Sequence, residues 1–289
     1  MKTFNFIKSR KIVFIISAVL ILAGIASFAI QGFNWDVDFV GGTELVYDIG
    51  HEADRAEQDK IEAAVEAAGI DVSTIQNSGD NNVIIKTKEL STEERTKVTD
   101  VIVKMYDKKE ASDVLVEANN ISASIGGELR RNAIIATIIA IVLMLVYIAI
   151  RFEWRSGLTA IIGLAHDVLI MLAAYTIFQI PMNTSFIAAI LTIIGYSINA
   201  AIIVLDRIRE NKALKTMGNE EIVNISVKQT LRRTINTTIT TLLTIGMVFI
   251  LGVTSIREFA LPLIVGIISG LYSSIFLTGP VWELISKKK

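Results

Sequence analysis

Long apolar runs recur six times along the chain, and charged residues flank most of them. The runs cover residues 12–30, 133–150, 158–178, 185–205, 235–253 and 259–285. Each is long enough for an α-helix that crosses a bilayer, which needs about 20 residues. The pattern therefore predicts an α-helical polytopic membrane protein with six transmembrane helices. The sixth run is the longest and contains Pro262 and Gly270, so the pattern does not define its ends.

A different pattern occupies the stretch between the first two runs. Alternating positions at 43–49 predict a strand, and a helical pattern at 52–68 ends at Gly69. Two β-branched runs follow, separated by the turn signal NSGDNN, and a second helix begins at Ser91 with Glu94 in a capping box. A last strand is predicted near residues 114–117. The order β-α-β-β-α-β predicts an α+β ferredoxin-like domain.

These patterns divide the chain into three parts. Residues 1–30 form an N-terminal tail and the first transmembrane helix, and residues 31–131 form the ferredoxin-like domain. Residues 132–289 form a five-helix transmembrane bundle with short loops and a basic C-terminal tail. The first run is too long for the apolar core of a typical signal peptide and five more runs follow it, which favours an uncleaved anchor.

Lysine and arginine concentrate on one side of the predicted membrane. They precede the first run, follow the second and fourth runs, and end the chain. On the other side the QIPMNT loop has no positive charge, and the VTSIRE loop has only Arg257. Because cytoplasmic loops carry the excess of positive charge, we expect both termini in the cytoplasm and the domain at 31–131 outside it.

Composition excludes several classes of function. Apolar residues make up 52% of 289 positions and the mean hydropathy is +0.54, too high for a soluble domain of this size. The chain has no cysteine, so it forms neither disulfides nor thiolate metal sites. The net charge of −1 gives no indication of nucleic-acid binding. No nucleophile motif, HExxH pair or phosphate-binding glycine loop occurs, so we expect neither an enzyme nor a cofactor.

Polar residues inside the apolar runs are the candidates for function. Asp167 lies about ten residues, roughly 15 Å, from the predicted cytoplasmic end of the third run, near the middle of the membrane. A carboxyl group at this depth is costly unless it is paired or hydrated. Asn199 of the fourth run shares one helical stripe with Asp206, which directly follows that run, and Arg233, just before the fifth run, leads a stripe of Thr237, Thr241 and Thr244. Together these stripes predict a polar interior shared by the third, fourth and fifth helices.

Each of these residues also has a purely structural interpretation. Asn199 can be one interhelical hydrogen bond, and threonines in membrane helices often bond to their own backbone. Arg207 and its basic neighbours are first of all topology charges. His166 is adjacent to Asp167 in sequence, but about 100° away around the helix.

Five short motifs together resemble the SecF family of bacterial protein export. They are DFVGGT at 38–43, IGGELRRNA at 125–133, AHDV at 165–168, GYSINA with DRIREN at 195–200 and 206–211, and QTLRRT at 229–234. The match spans nearly the whole chain in order. GYSxN with DRIREN is quite specific, whereas DFxGGT alone would also fit the sister subunit SecD.

The resemblance implies an accessory subunit of the Sec translocase. It would be one half of a SecDF complex of the resistance-nodulation-division superfamily, assisting preprotein export with energy from the proton gradient. The implied location is the bacterial plasma membrane, and the implied partners are SecD, the SecYEG channel, YajC or YidC, unfolded preproteins and the lipid bilayer. Two alternatives remain: half of a proton-coupled exporter of small molecules or lipids, and a structural partner of SecD without a proton role.

At one position the chain departs from the pattern of the family. Family members often have an aspartate, taken as a proton-relay residue, where this chain has Ala200. An alanine side chain does not titrate. We therefore assign the proton-relay role of the family's aspartate to no residue of this chain. Arg233 matches the arginine of the family motif QTLxRT and stays a candidate partner for a carboxylate across the interface.

Overall fold

A computed structural model of the chain describes residues 5–78, 81–214, 218–252 and 254–286. The middle of the predicted NSGDNN turn and the basic C-terminal tail lie outside these residues. The described part consists of a bundle of long helices and a small α+β domain inserted after the first of them.

Six helical stretches are long and apolar enough to cross a membrane, as the sequence predicted. The first five are single helices: α1 (Arg10–Gln31), α5 (Ala123–Arg151), α6 (Trp154–Ile177), α7 (Thr184–Ala213) and α8 (Asn219–Leu251). The sixth stretch consists of α9 (Thr254–Tyr272), a π-helical turn (Ser273–Leu277) and α10 (Thr278–Ser286). Several helices are longer than the apolar runs. α5 begins before the predicted domain boundary at 131, and α8 begins 16 residues before the run at 235–253.

The bundle has an inner layer and an outer layer. In the most apolar windows of α6, α7 and the sixth stretch, 56%, 50% and 61% of the residues are buried, against 17%, 6% and 11% for α1, α5 and α8. Close contacts set the inner packing. A Cβ atom on Gly266 of α9 would lie 2.4 Å from Ile193 of α7, and one on Gly24 of α1 would lie 2.3 Å from the Cβ of Ala173 on α6. The inner layer therefore contributes most of the buried residues of the bundle.

The α+β domain contains one antiparallel sheet and two helices. Its strands are β1 (Gly42–Asp48), β2 (Val72–Ser78), β3 (Asn82–Thr87) and β4 (Leu115–Ile121), in the spatial order β2-β3-β1-β4. Helix α3 (Arg55–Ala67) joins β1 to β2, and α4 (Thr92–Met105) joins β3 to β4. The capping box predicted at Ser91 and Glu94 is present at the start of α4. The observed element order is therefore β-α-β-β-α-β.

One face of the sheet packs on α3 and α4. Leu45, Tyr47 and Ile85 from the strands are fully buried against Ile61 and Val98 from the helices. The Tyr47 hydroxyl lies 3.0 Å from the hydroxyl of Thr99, and burial raises the pKa of Tyr47 to about 12. The opposite face of the sheet, which carries Gln76 and Lys86, is therefore free to contact the bundle.

Polar contacts attach this opposite face of the sheet, and the segment that precedes β1, to the bundle. The ammonium of Lys86 lies 3.0 Å and 3.1 Å from the carboxylate oxygens of Asp36, and both residues are buried. The short helix α2 (Val37–Val40) follows, and its Asp38 accepts hydrogen bonds from the backbone and hydroxyl of Thr184 at the start of α7. Gln76 of β2 bonds to Glu258 of α9. The domain thus rests on the ends of α7 and α9.

Candidate functional site: a buried carboxylate and an open polar groove

Asp167, in the middle of α6, is completely buried and accepts four hydrogen bonds. Three come from serine hydroxyls: Ser197 of α7 at 2.6 Å, Ser269 of α9 at 2.6 Å, and Ser273 of the π-helical turn at 2.7 Å. The fourth contact joins Oδ1 to Nδ1 of His166 at 2.9 Å. Hydroxyl–carboxylate distances of 2.6 Å and 2.7 Å are those of short hydrogen bonds. Asp167 therefore ties three of the six membrane stretches together at one point.

His166 extends this network to the first helix. Its Nε2 lies 3.0 Å from the hydroxyl of Ser17 on α1, and both residues are buried. The ring of Tyr272 stacks on the imidazole, with centroids 6.0 Å apart, and the Tyr272 hydroxyl donates to the carbonyl of Val13. The sequence placed His166 on another side of the helix. The structure shows the two neighbouring side chains in direct contact despite this angle, which the sequence did not indicate.

Two local features bring the last helix close to Asp167. Gly270 has no side chain, and a Cβ atom there would lie 3.6 Å from the Cα of Ser197 and 3.8 Å from Oδ2 of Asp167. The π-helical turn begins at Ser273, one turn after Ser269, and both serines bond to the carboxylate. π-Turns inside α-helices occur frequently at functional sites. None of these serines was a candidate from the sequence.

The other three candidate residues line a different feature, an open groove between α7 and α8. Asn199, Asp206 and Arg233 share this groove, which has a volume of about 530 Å³. Asn199 and Arg233 are exposed, and Asp206 is half-buried. Other lining residues are Arg207, Glu210, Gln229 and Thr230. A polar groove in apolar helices is expected to face water or a partner rather than lipid.

The polar interior predicted for the third, fourth and fifth helices is therefore wrong as a single site. Asp167 accepts a hydrogen bond from Ser197 on α7, not from Asn199, and its other two serine partners come from the sixth stretch. The threonine stripe was also assigned to the wrong face of α8. Thr230, Thr234 and Thr238 are the buried threonines, and Thr238 accepts a hydrogen bond from the hydroxyl of Tyr196. Thr237 and Thr241 are less buried and bond to their own helix backbone.

Ala200, where the family often has aspartate, does not belong to the groove. Its side chain is buried, with 6% of the residue exposed, whereas the neighbouring Asn199 is exposed. One helical turn separates Ala200 from Ser197, and positions three apart lie on the same helix face. Ala200 therefore lies on the face of α7 that bonds to Asp167.

Within the described ranges, no three His, Asp or Glu side chains are grouped so that they could hold a metal ion. The buried cluster offers hydrogen-bond donors and acceptors from Asp167, His166 and the serines around them. The groove presents the carboxyl group of Asp206, the guanidinium group of Arg233 and the amide of Asn199 to a surface that packs against it.

Comparison with known proteins assigns the family. The family described as "Protein export membrane protein SecD/SecF, C-terminal" matches residues 100–288. The chain is similar to protein translocase subunit SecF of Haemophilus influenzae, with 36% identity over 94% of this chain and 83% of that protein. It is also similar to SecF of Sebaldella termitidis, with 34% identity over 98% of this chain and 92% of that protein.

Longer proteins match as well. Protein translocase subunit SecDF of Thermus thermophilus is 36% identical over 95% of this chain, which spans only 37% of that protein. A crystal structure of SecDF from the same organism superposes with a TM-score of 0.82 at 34% identity, covering 96% of this chain and 38% of that one. The matches by sequence and by structure thus agree over almost the entire chain. This chain is a multi-pass membrane protein of the protein-transport class and belongs to the SecF family of protein translocase subunits.

Proposed function

We propose that this subunit assists the export of preproteins across the bacterial plasma membrane, in a complex with a SecD-type partner and with energy from the proton gradient. In this proposal the α+β domain is a ferredoxin-like unit outside the cytoplasm, and both termini are cytoplasmic. The excess of lysine and arginine on the terminal side of the membrane supports this orientation. The boundaries at 31–131 and 132–289 are part of the same proposal.

One observation carries the pairing with SecD. Nearly all of this chain aligns with less than two fifths of proteins named SecDF from Thermus thermophilus and Bacillus subtilis. In those proteins the rest of the chain is joined covalently to the equivalent of this subunit. These SecDF proteins support the pairing of this subunit with a SecD-type partner.

The groove between α7 and α8 is the surface that we assign to this partner. Asp206 and Arg233 are charged, and no ion pair joins either of them to another described side chain. Charged groups in membrane helices are costly when they face lipid. A partner helix that carries complementary polar groups would cover both of them and Asn199.

Ala200 limits the role of this subunit in proton transfer. We propose that the SecD-type partner supplies the carboxylate that the family often has at this position. The alternative of a purely structural partner of SecD predicts export that does not depend on any titratable group of this chain. The alternative of a small-molecule or lipid exporter is less well supported, because such proteins have a much larger outer domain than the one unit present here.

The wider assembly is proposed from the family alone. It includes the SecYEG channel, YajC or YidC, and unfolded preproteins that emerge on the outer side. The lipid bilayer surrounds the six helical stretches, and we assign no enzyme activity, nucleic acid or cofactor to the subunit.

The test is an export assay in cells that lack the native subunit. The chain is expressed with its SecD-type partner, and the accumulation of preprotein is followed with and without a proton uncoupler. We expect the pair to reduce the accumulation and the uncoupler to remove this benefit; expression of the partner alone is the control. A benefit that persists with the uncoupler would refute the use of the proton gradient, and no benefit at all would refute the export function.

A further inference from the structure

We propose that His166 and Asp167 form a proton-binding site of this subunit, with His166 Nε2 as the atom that takes up the proton. The pair lies inside the bundle, away from the groove that holds Asn199, Asp206 and Arg233. The use of this proton in export rests on the function proposed above, whereas the binding itself does not.

The acceptor positions of Asp167 are all engaged. Oδ1 accepts from Ser269 and contacts Nδ1 of His166, while Oδ2 accepts from Ser197 and Ser273. A carboxylate has about four acceptor positions, and all four are used. Protonation of Asp167 would turn an acceptor into a donor, so one serine hydroxyl would have to turn and accept from it, as the Ser273 hydroxyl can while donating to the carbonyl of Gly270. We place the proton on the imidazole because an ordinary imidazole is more basic than an ordinary carboxylate, with pKa values of about 6.5 and about 3.9.

His166 can take up a proton without losing a contact. When the imidazole is neutral, Nδ1–H donates to Asp167 and Nε2 accepts from the Ser17 hydroxyl. When the imidazole is charged, Nε2–H donates to the oxygen of Ser17, because a hydroxyl can serve as either donor or acceptor. The same heavy-atom positions therefore fit both protonation states.

Charge balance favours the protonated state. With neutral His166 the cluster carries the negative charge of Asp167 inside the bundle, and protonation of His166 makes it a neutral pair. The other groups that face the pair are uncharged: Ser17 from α1, Ser197 from α7, Ser269 and Tyr272 from α9, and Ser273 from the π-helical turn.

Charged side chains on the same elements have other contacts or other surroundings. Arg10 of α1 lies 3.0 Å from Glu283 of α10, Glu258 of α9 bonds to Gln76, and Asp206 of α7 lies in the groove. Arg10 and Glu258 thus bond to other residues, and Asp206 lies in the groove. Asp167 is the charged side chain that His166 contacts directly.

The test uses nuclear magnetic resonance of histidine nitrogens in the full chain reconstituted in lipid bilayers. The chain has two histidines, so His51→Gln leaves the signal of His166 alone. His51 is exposed in the α+β domain and contacts Glu57. We expect neutral His166 to carry its proton on Nδ1, and a second proton to appear on Nε2 when the pH is lowered.

Two variants link the signal to the geometry. Asp167→Asn removes the negative charge and should weaken proton binding at His166 by about tenfold or more. Asp206→Asn, which removes a carboxylate from the groove, should leave it unchanged. A neutral form that carries its proton on Nε2, or no change in protonation across the pH range, would overturn the proposal even if Asp167→Asn fails to fold. Because this readout does not depend on export, a failure of the export assay leaves the result for His166 intact.

Discussion

The amide nitrogen of Gln76 donates to both carboxylate oxygens of Glu258, at 2.8 Å each. Gln76 belongs to β2 of the α+β domain, and Glu258 lies near the start of α9. Eleven residues further along α9 is Ser269, which bonds to Asp167. One helix therefore connects the domain to the buried carboxylate over about 16 Å at the α-helical rise.

The first prediction concerns this connection. Gln76→Glu keeps the size of the side chain but places a carboxylate against Glu258, so the two like charges should separate the domain from α9. Hydrogen exchange of the backbone of β2 should become faster. Gln58→Glu is the matched control, because Gln58 bonds only to the carbonyl of Ala53 within the domain. Equal exchange in β2 for wild type and Gln76→Glu would show that the contact does not hold the domain.

The second prediction uses two neighbouring glycines of α5. A Cβ atom on Gly126 would lie 2.9 Å from the backbone nitrogen of Gly41 and 3.1 Å from the carbonyl carbon of Phe39, whereas one on Gly127 would meet nothing within 4 Å. Gly126→Ala should therefore destabilise the protein by about 1–3 kcal/mol through overpacking. Gly127→Ala should be neutral or stabilising by roughly 0.5–1 kcal/mol, because alanine favours the helix. The measurement is the thermal unfolding temperature of the two purified variants. Similar unfolding temperatures for both would contradict the packing of α5 on α2.

The third prediction compares two lysines of the domain. Lys86 is buried with Asp36, and Lys86→Met would leave that carboxylate buried without its cation, at a cost of about 3–5 kcal/mol. Lys88 pairs with Asp71 at the surface, so Lys88→Met should leave the stability nearly unchanged. The measurement is chemical unfolding followed by a probe in the domain. A larger loss for Lys88→Met than for Lys86→Met would contradict the buried pair.

The pH dependence of the same pair has a defined sign. Burial by itself would lower the pKa of Lys86, but the carboxylate of Asp36, with smaller contributions from Asp38 and Glu44, raises the pKa above that of ordinary lysine. A raised pKa in the folded state means that the pair stabilises the fold fully below the ordinary lysine value of about 10.4 and loses this contribution as the pH rises further. Stability of the wild type relative to Lys86→Met should therefore be constant near neutral pH and fall in alkali. A fall between pH 6 and 8, around the unperturbed histidine value of about 6.5, would point to another group.

The fifth prediction concerns position 200. Ala200 is buried on the face of α7 that carries Ser197, so a carboxylate there is costly unless the polar cluster around Asp167 accommodates it. We expect Ala200→Asp to insert and to assemble, and we expect no increase in gradient-dependent export, because the partner supplies the acid. Ala200→Leu is the control for the change in volume. Stronger, uncoupler-sensitive export by Ala200→Asp would show that the alanine had inactivated this subunit.

The sequence predicted the spans and the element order of the domain because both depend on local periodicity. Apolar runs of membrane length, alternating strand patterns and the capping box of Ser91 and Glu94 can all be recognised directly in the sequence. Residue 167 also stood out, since an acid inside an apolar run is unusual. These features need no knowledge of which helices are neighbours.

The partners of Asp167 and His166 could not be predicted in the same way. Ser17, Ser269 and Ser273 are small polar residues in apolar runs, where serine is also common as a packing residue. Their role depends on the contact of α1 and α9 with α6. The hydrophobic periodicity of a single helix does not predict which other helices it contacts. His166 was missed because a step of 100° between neighbouring positions describes Cα atoms, whereas the long imidazole side chain turns back to its neighbour.

The groove between α7 and α8 is the surface on which the proposed complex depends, and disulfide crosslinking in native membranes tests it most directly. The chain has no cysteine, so Asn199→Cys introduces a single thiol at the groove, and Leu143→Cys introduces one at an exposed apolar position of α5. With cysteines placed along the equivalent helix of the SecD-type partner, Asn199→Cys should crosslink to the partner and Leu143→Cys should not. Crosslinks of Asn199→Cys only to a second copy of this chain, or none to the partner at any position, would contradict the account.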